Sequence, residues 1–102
     1  MTTIKFEFKA KLWRWQAETG TAWHFITLPE KIGSDIKKNW GNLKAGFGSI
    51  RVTAQIGNTQ WQTSIFPDSK SGSYLLPVKA AVRKAEGVKD GDLVGCWVWV
   101  EG

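Results

Sequence analysis

The chain has 102 residues and a formal net charge of +5, with seven tryptophans, one histidine (His24) and one cysteine (Cys96). A chain of this length folds as one domain, residues 1–102, without disulfide staples, and a lone cysteine inside an apolar run suits core filling in a reducing compartment. No apolar run approaches the roughly 18 residues that span a bilayer, and no charged-then-apolar leader precedes a small-residue cleavage site, so a cytoplasmic protein with no membrane partner is expected.

Residues 4–12, IKFEFKAKL, alternate strictly. Ile4, Phe6, Phe8, Ala10 and Leu12 share one face and Lys5, Glu7, Lys9 and Lys11 the other, which is the pattern of a half-buried strand. The strand runs on through Trp13 to Trp15, ETGT (18–21) supplies a turn, and Trp23 to Leu28 returns as its hairpin partner. Pro29 takes a first-turn helix position, where its missing N–H costs nothing. Ile32, Ile36 and Trp40 follow at helical spacing, in an amphipathic helix weakened by Gly33 and ending near Gly41. Ile50, Val52, Ala54 and Ile56 then alternate with Arg51, Thr53 and Gln55. Gly57-Asn58 is a two-residue hairpin signal and Thr59 to Phe66 the return strand. After the loop PDSKSGS (67–73) and a short apolar run at Tyr74 to Leu76, Pro77 is expected to open a second helix. Its core stripe would be Val78, Ala81, Val82 and Ala85, with Gly87 as a left-handed C-cap. The turn KDGD (89–92) leads to a last strand, Leu93 to Val100.

The chain therefore enters a helix twice through the same doorway, LPEK (28–31) and LPVK (76–79). Each half reads as hairpin, Leu-Pro, helix, next strand, with the Ile50–Phe66 hairpin as the counterpart of the first. The fold class that follows is mainly β: a β-barrel with two short α-helices, built of pseudo-two-fold duplicated hairpin-helix-strand units in the style of swapped-hairpin or cradle-loop barrels. Neither unit buries its apolar face alone, and two together close a barrel without raw edges.

The stretches AWHFITLP (22–29), GFGSIRV (46–52), TSIFPDSKSGSYLLPVKAAVRKAEGV (63–88) and DGD (90–92) together resemble one bacterial family, the domain of unknown function called DUF1905. The resemblance implies a small mixed β-barrel with short helices and supplies no activity, substrate or catalytic residue. LPVKAAVRKAEGVKDGD also looks like the Pro, helix, Gly-Asp, strand element of AbrB-type swapped-hairpin transcription factors, which are much shorter chains that dimerise to complete their barrel.

One histidine and one cysteine cannot build a His/Cys metal cluster, and no acidic residues fall at calcium-loop spacing, so neither metal nor cofactor is expected. No nucleophile elbow is visible, and His24, between Trp23 and Phe25, reads as a structural histidine. The Gly-rich stretch 41–51 lacks a Walker or dinucleotide pattern and reads as a loop feeding a strand, with phosphate cradling as the weaker reading. No catalytic residue is expected.

Two constellations point to binding. The positive excess lies wholly before residue 52, with nine Lys/Arg against Glu7, Glu18, Glu30 and Asp35, while the remainder carries five of each sign. Lys79 and Arg83 stand four apart on the second helix. Either Glu86 neutralises Arg83 locally, or Arg51 and Lys70 join Lys79 and Arg83 in a site for nucleic acid or a phosphorylated small molecule. The second constellation is aromatic. Trp13 and Trp15 share the charged face of the first strand, and Trp97 and Trp99 oppose Val98 and Val100 in the last. If the terminal strands pair, the four indoles form one external stripe: a dimer interface, or a stacking platform for sugars or unpaired bases. The alternative is that some of these rings turn inward at a bulge. The reading from sequence is thus a non-enzymatic binding module for an anionic ligand, with carbohydrate binding or dimerisation as alternatives, acting as a monomer or homodimer.

Overall fold

A computed structural model describes residues 4–41 and 48–100. Six strands and two helices follow in the order β1 (Lys5–Gln16), β2 (Ala22–Thr27), α1 (Glu30–Trp40), β3 (Ile50–Ile56), β4 (Thr59–Asp68), β5 (Ser73–Pro77), α2 (Ala80–Glu86) and β6 (Leu93–Trp99). All neighbouring strands are antiparallel and the sheet closes as a barrel in the order β1-β2-β5-β4-β3-β6. The core is the set of inward residues the alternation picks out: Phe8 and Leu12 from β1, Ile26 from β2, Ile50, Val52, Ala54 and Ile56 from β3, Trp61 and Ile65 from β4, and Val94, Cys96 and Val98 from β6. Ile4 alone of the first stripe stays exposed.

Two long strands turn the corners. Residues 5–11 of β1 pair with β6, and residues 12–16 pair with β2. The switch is pinned where Leu12 exchanges backbone hydrogen bonds with the KDGD turn: its N–H donates to the Asp92 carbonyl at 2.9 Å and its carbonyl accepts from Gly91 at 2.7 Å. In the same way β4 pairs with β3 through Ile65 and with β5 from Phe66.

The duplication is present, in a different register from the one expected. Exchanging β1 with β4, β2 with β5 and β3 with β6 maps the strand order onto itself. The repeating unit is therefore ββαβ, and the counterpart of the β1–β2 hairpin is β4–β5, not β3–β4. The short Tyr74–Leu76 run is the heart of a strand, because it pairs with β2 on one side and β4 on the other. The expected loop at 67–73 shrinks to the turn 69–72, held by the Asp68 carboxylate accepting from the Ser71 N–H at 3.1 Å.

The two doorways differ for the same reason. Pro29 stands just outside α1, as its N-cap residue. Pro77 ends β5, and the extended residues Val78 and Lys79 lead to a helix that starts only at Ala80. Val78 is buried from this extended segment, Val82 is the buried residue of α2, and Ala81 and Ala85 face solvent, so the expected four-residue helical stripe does not form. Gly87 caps α2 at φ 63°, ψ 31°, the left-handed conformation that suits glycine. Gly33 is buried where α1 crosses β5 against Ser73. None of the helices among the described residues is long and apolar enough to cross a membrane.

Candidate functional site

The short β5 opens a cleft in the barrel wall. β4 runs from Thr59 and pairs with β3 along residues 59–65, but β5 pairs only with Phe66–Asp68, so residues 61–64 have no strand partner on their β5 side among the described residues. The start of β2 lies across the gap, and the segment Pro77–Arg83 roofs it, tied down by the Val78 N–H donating to the His24 carbonyl at 2.9 Å. Proline, lacking an N–H, is suited to ending the ladder at this point. The resulting cavity has a volume of about 580 Å³, within the range of small-molecule sites.

Three cations line it: Arg51 from β3, Lys79 from the segment before α2, and Arg83 from α2. No Asp or Glu is among the described lining residues. The Arg83 Nε–H donates to the Val78 carbonyl at 3.2 Å, which fixes the guanidinium stem against the roof. Glu86 accepts a hydrogen bond from the Thr59 hydroxyl, on the side of the β3–β4 turn. Hydroxyl and amide groups of Thr21, Gln62, Thr63 and Ser64 and the rings of Trp23, Trp61 and Phe66 complete the wall.

His24 points along the inward parity of β2 and also lines the cleft. Its Nδ1 is buried with no hydrogen-bond partner among the described residues. Burial, the Arg83 charge and the Arg14 charge hold its pKa below the ordinary histidine value, against an opposing pull from Asp90. The imidazole is therefore mainly neutral at pH 7, and the charged side chains of the lining itself are the three cations, with Asp90 beyond the lining but near enough to act on His24.

Of the residues singled out from sequence, Arg51, Lys79 and Arg83 converge and Lys70 does not: it sits on the exposed 69–72 turn, outside the cleft. The Gly-rich stretch lies largely outside the described residues. The terminal strands do pair, yet the four indoles form no single stripe. Trp97 and Trp99 lie opposite Glu7 and Lys5, at the far end of β1 from Trp13 and Trp15. Trp99 is buried, with the Lys5 ammonium 4.4 Å from its ring centroid. The aromatic cluster that forms instead takes its members from β1, β2 and β4. Trp13 and Trp15 pair with Phe25 and Trp23. Trp13 lies 5.2 Å from Phe25, its indole N–H bonded to Thr27 Oγ1 at 2.9 Å, and Trp23 stacks on Phe25 at 6.3 Å with only 8° between planes. Trp15, Trp23 and Phe66 remain about half exposed, at 50, 51 and 40%. Trp23, Trp61, Phe66 and His24 were not legible as cleft residues, because only the early end of β5 brings their strands' edges together.

No curated protein matches the sequence. The family model described as "Domain of unknown function (DUF1905)" matches residues 8–96, nearly the whole chain, and the protein belongs to the DUF1905 family.

Proposed function

We propose that this protein is a binding module for a phosphorylated, polyanionic ligand held in the cleft between β2 and β4. The observation that carries the reading is the convergence of Arg51, Lys79 and Arg83 on one cavity whose described lining has no carboxylate. Like charges brought together with no carboxylate in the lining repel, and a phosphate group relieves that repulsion through charge-assisted hydrogen bonds. The concave shape favours a compact ligand over a nucleic-acid duplex. The lining favours binding over catalysis, since the one imidazole has no partner at Nδ1 to orient it as a base. Carbohydrate remains the second reading, because the exposed Trp15 and Trp23 indoles are faces on which a sugar stacks.

A thermal-shift series with pyrophosphate, nucleotides and a glycan panel, at low and high salt, tests this. A phosphate ligand at one hundred times its dissociation constant stabilises by about 2.7 kcal/mol. That shift should shrink with added salt and vanish in Arg83→Ala. A salt-insensitive shift with glycans moves the assignment to the tryptophans, and no shift with any polyanion ends it.

A further inference from the structure

A second groove continues the cleft onto the outer face of the barrel. Its volume is about 270 Å³ and it is lined by Trp15, Trp23, Phe25, Phe66, Leu75 and Pro77, all apolar or aromatic. Trp23, Phe66 and Pro77 line both cavities, so the two adjoin and one molecule can reach into both. The Trp23 ring is backed on one side by the near-parallel Phe25 and is half exposed, which makes it a rigid platform with a free surface. Flat, rigid rings of this kind prefer to receive another flat ring.

Resting on the anion-binding reading above, we propose that the ligand is a phosphomonoester joined to a planar aromatic ring, in chemical class a mononucleotide. Its phosphate lies among Arg51, Lys79 and Arg83, and its base lies in the groove walled by Trp15, Trp23 and Phe66. Charge complementarity selects the phosphomonoester: three cations without a carboxylate match a dianionic terminal phosphate better than the single charge of a phosphodiester. The lining of the groove selects the ring, since four of its six residues are aromatic and its volume of about 270 Å³ accommodates a base.

The test is calorimetric titration of the full chain with CMP, AMP and ribose 5-phosphate, which share a terminal phosphate and differ in the base. Stacking on one aromatic platform should make the nucleotides bind about tenfold more tightly than ribose 5-phosphate. Trp15→Ala and Trp23→Ala, checked for folding by circular dichroism, should bring that ratio toward one; Trp15→Phe should retain most of it. Equal affinity for nucleotide and ribose 5-phosphate overturns the base-binding groove and leaves the anion site standing. Binding of neither overturns both. A thymidine oligomer without terminal phosphates that binds more tightly than CMP overturns the phosphomonoester assignment.

Discussion

Replacing Gly33 with alanine sets helix propensity against packing. Gly33 is buried in the middle of α1, and a Cβ placed there would overlap Ser73 Oγ and lie 2.9 Å from Ser73 Cβ and 3.1 Å from its Cα. The hydroxyl can rotate away, giving up its long 3.5 Å contact with the Pro29 carbonyl. The Cβ and Cα move less freely, since Ser73 is held in the ladder opposite Asp68 of β4, so α1 must back off by a few tenths of an ångström and loosen Ile36, which is fully buried. Alanine in mid-helix returns about 1 kcal/mol relative to glycine, whereas overpacking of this kind costs about 1 to 3 kcal/mol. The expected net effect of Gly33→Ala is a loss of roughly 1 kcal/mol, a fall in Tm of about 4–8 °C. Urea denaturation followed by circular dichroism reads it, with an unchanged slope confirming that the folded state stays compact. In the double variant with Ser73→Gly the two substitutions should couple favourably. A Gly33→Ala protein more stable than the parent by about 1 kcal/mol would refute the close crossing of α1 over β5.

Four further outcomes follow from particular contacts. Gly57→Ala should destabilise by about 1 kcal/mol or more in the same assay, because the residue sits at φ +56° and the added Cβ would meet the Glu86 carboxylate; an unchanged midpoint would mean that the β3–β4 turn does not hold that conformation. Burial pushes the Cys96 thiol up to about 12 from an ordinary value of 9.0, so the unfolded chain gives up its proton first. Stability should accordingly fall between those two values as pH rises, by up to about 1.4 kcal/mol per pH unit from this group, and Cys96→Val should flatten the profile. His24 is depressed below 6.5, so the unfolded chain takes up a proton before the native one and stability should decline as pH drops through that value. In Arg83→Gln the histidine pKa, followed by NMR, should rise; no movement would place the guanidinium away from the imidazole. The accessible component of acrylamide quenching should shrink in Trp15→Phe and in Trp23→Phe, fall further in the double variant to what Trp97 contributes, and stay unchanged in Trp61→Phe, whose residue is only 7% exposed.

Much of this fold was legible because local chemistry and global demand agree. The alternation in β1 and β3, the Gly57-Asn58 turn and the Gly87 cap each answer a single local requirement, and the structure uses each as read. A shared site for Arg51, Lys70, Lys79 and Arg83 was one of two readings that a closed barrel allowed; three of the four converge, although Lys79 precedes α2 and does not have the helical spacing assumed for it, and Lys70 lies elsewhere. Three features were hidden. β5 is a five-residue strand whose apolar run has no periodicity of its own, so the proline after it read as a helix start. Trp99 is buried although it follows the fully buried Val98 and so has the outward parity of β6, with the Lys5 ammonium of the neighbouring strand over its ring. The cleft exists because β5 stops before β4 does, a mismatch of lengths between strands remote in sequence that no motif announces.

The seam between β1 and β6 joins the sequence-remote edges of the barrel, with Lys5 opposite Trp99 and Lys11 opposite Leu93. While β6 is missing, whether during synthesis or refolding, β1 presents an open edge able to pair with another chain. The loop entropy of the whole barrel must be met before this seam contributes, which predicts folding in milliseconds to seconds rather than microseconds. The same adjacency makes the barrel permutable. A short linker from Trp99 to Lys5 and a cut at Gly57-Asn58 would preserve the strand order while turning the first-to-last seam into a local hairpin. In that permutant the slow closure would pass to β3 and β4, and the open edge would move with it.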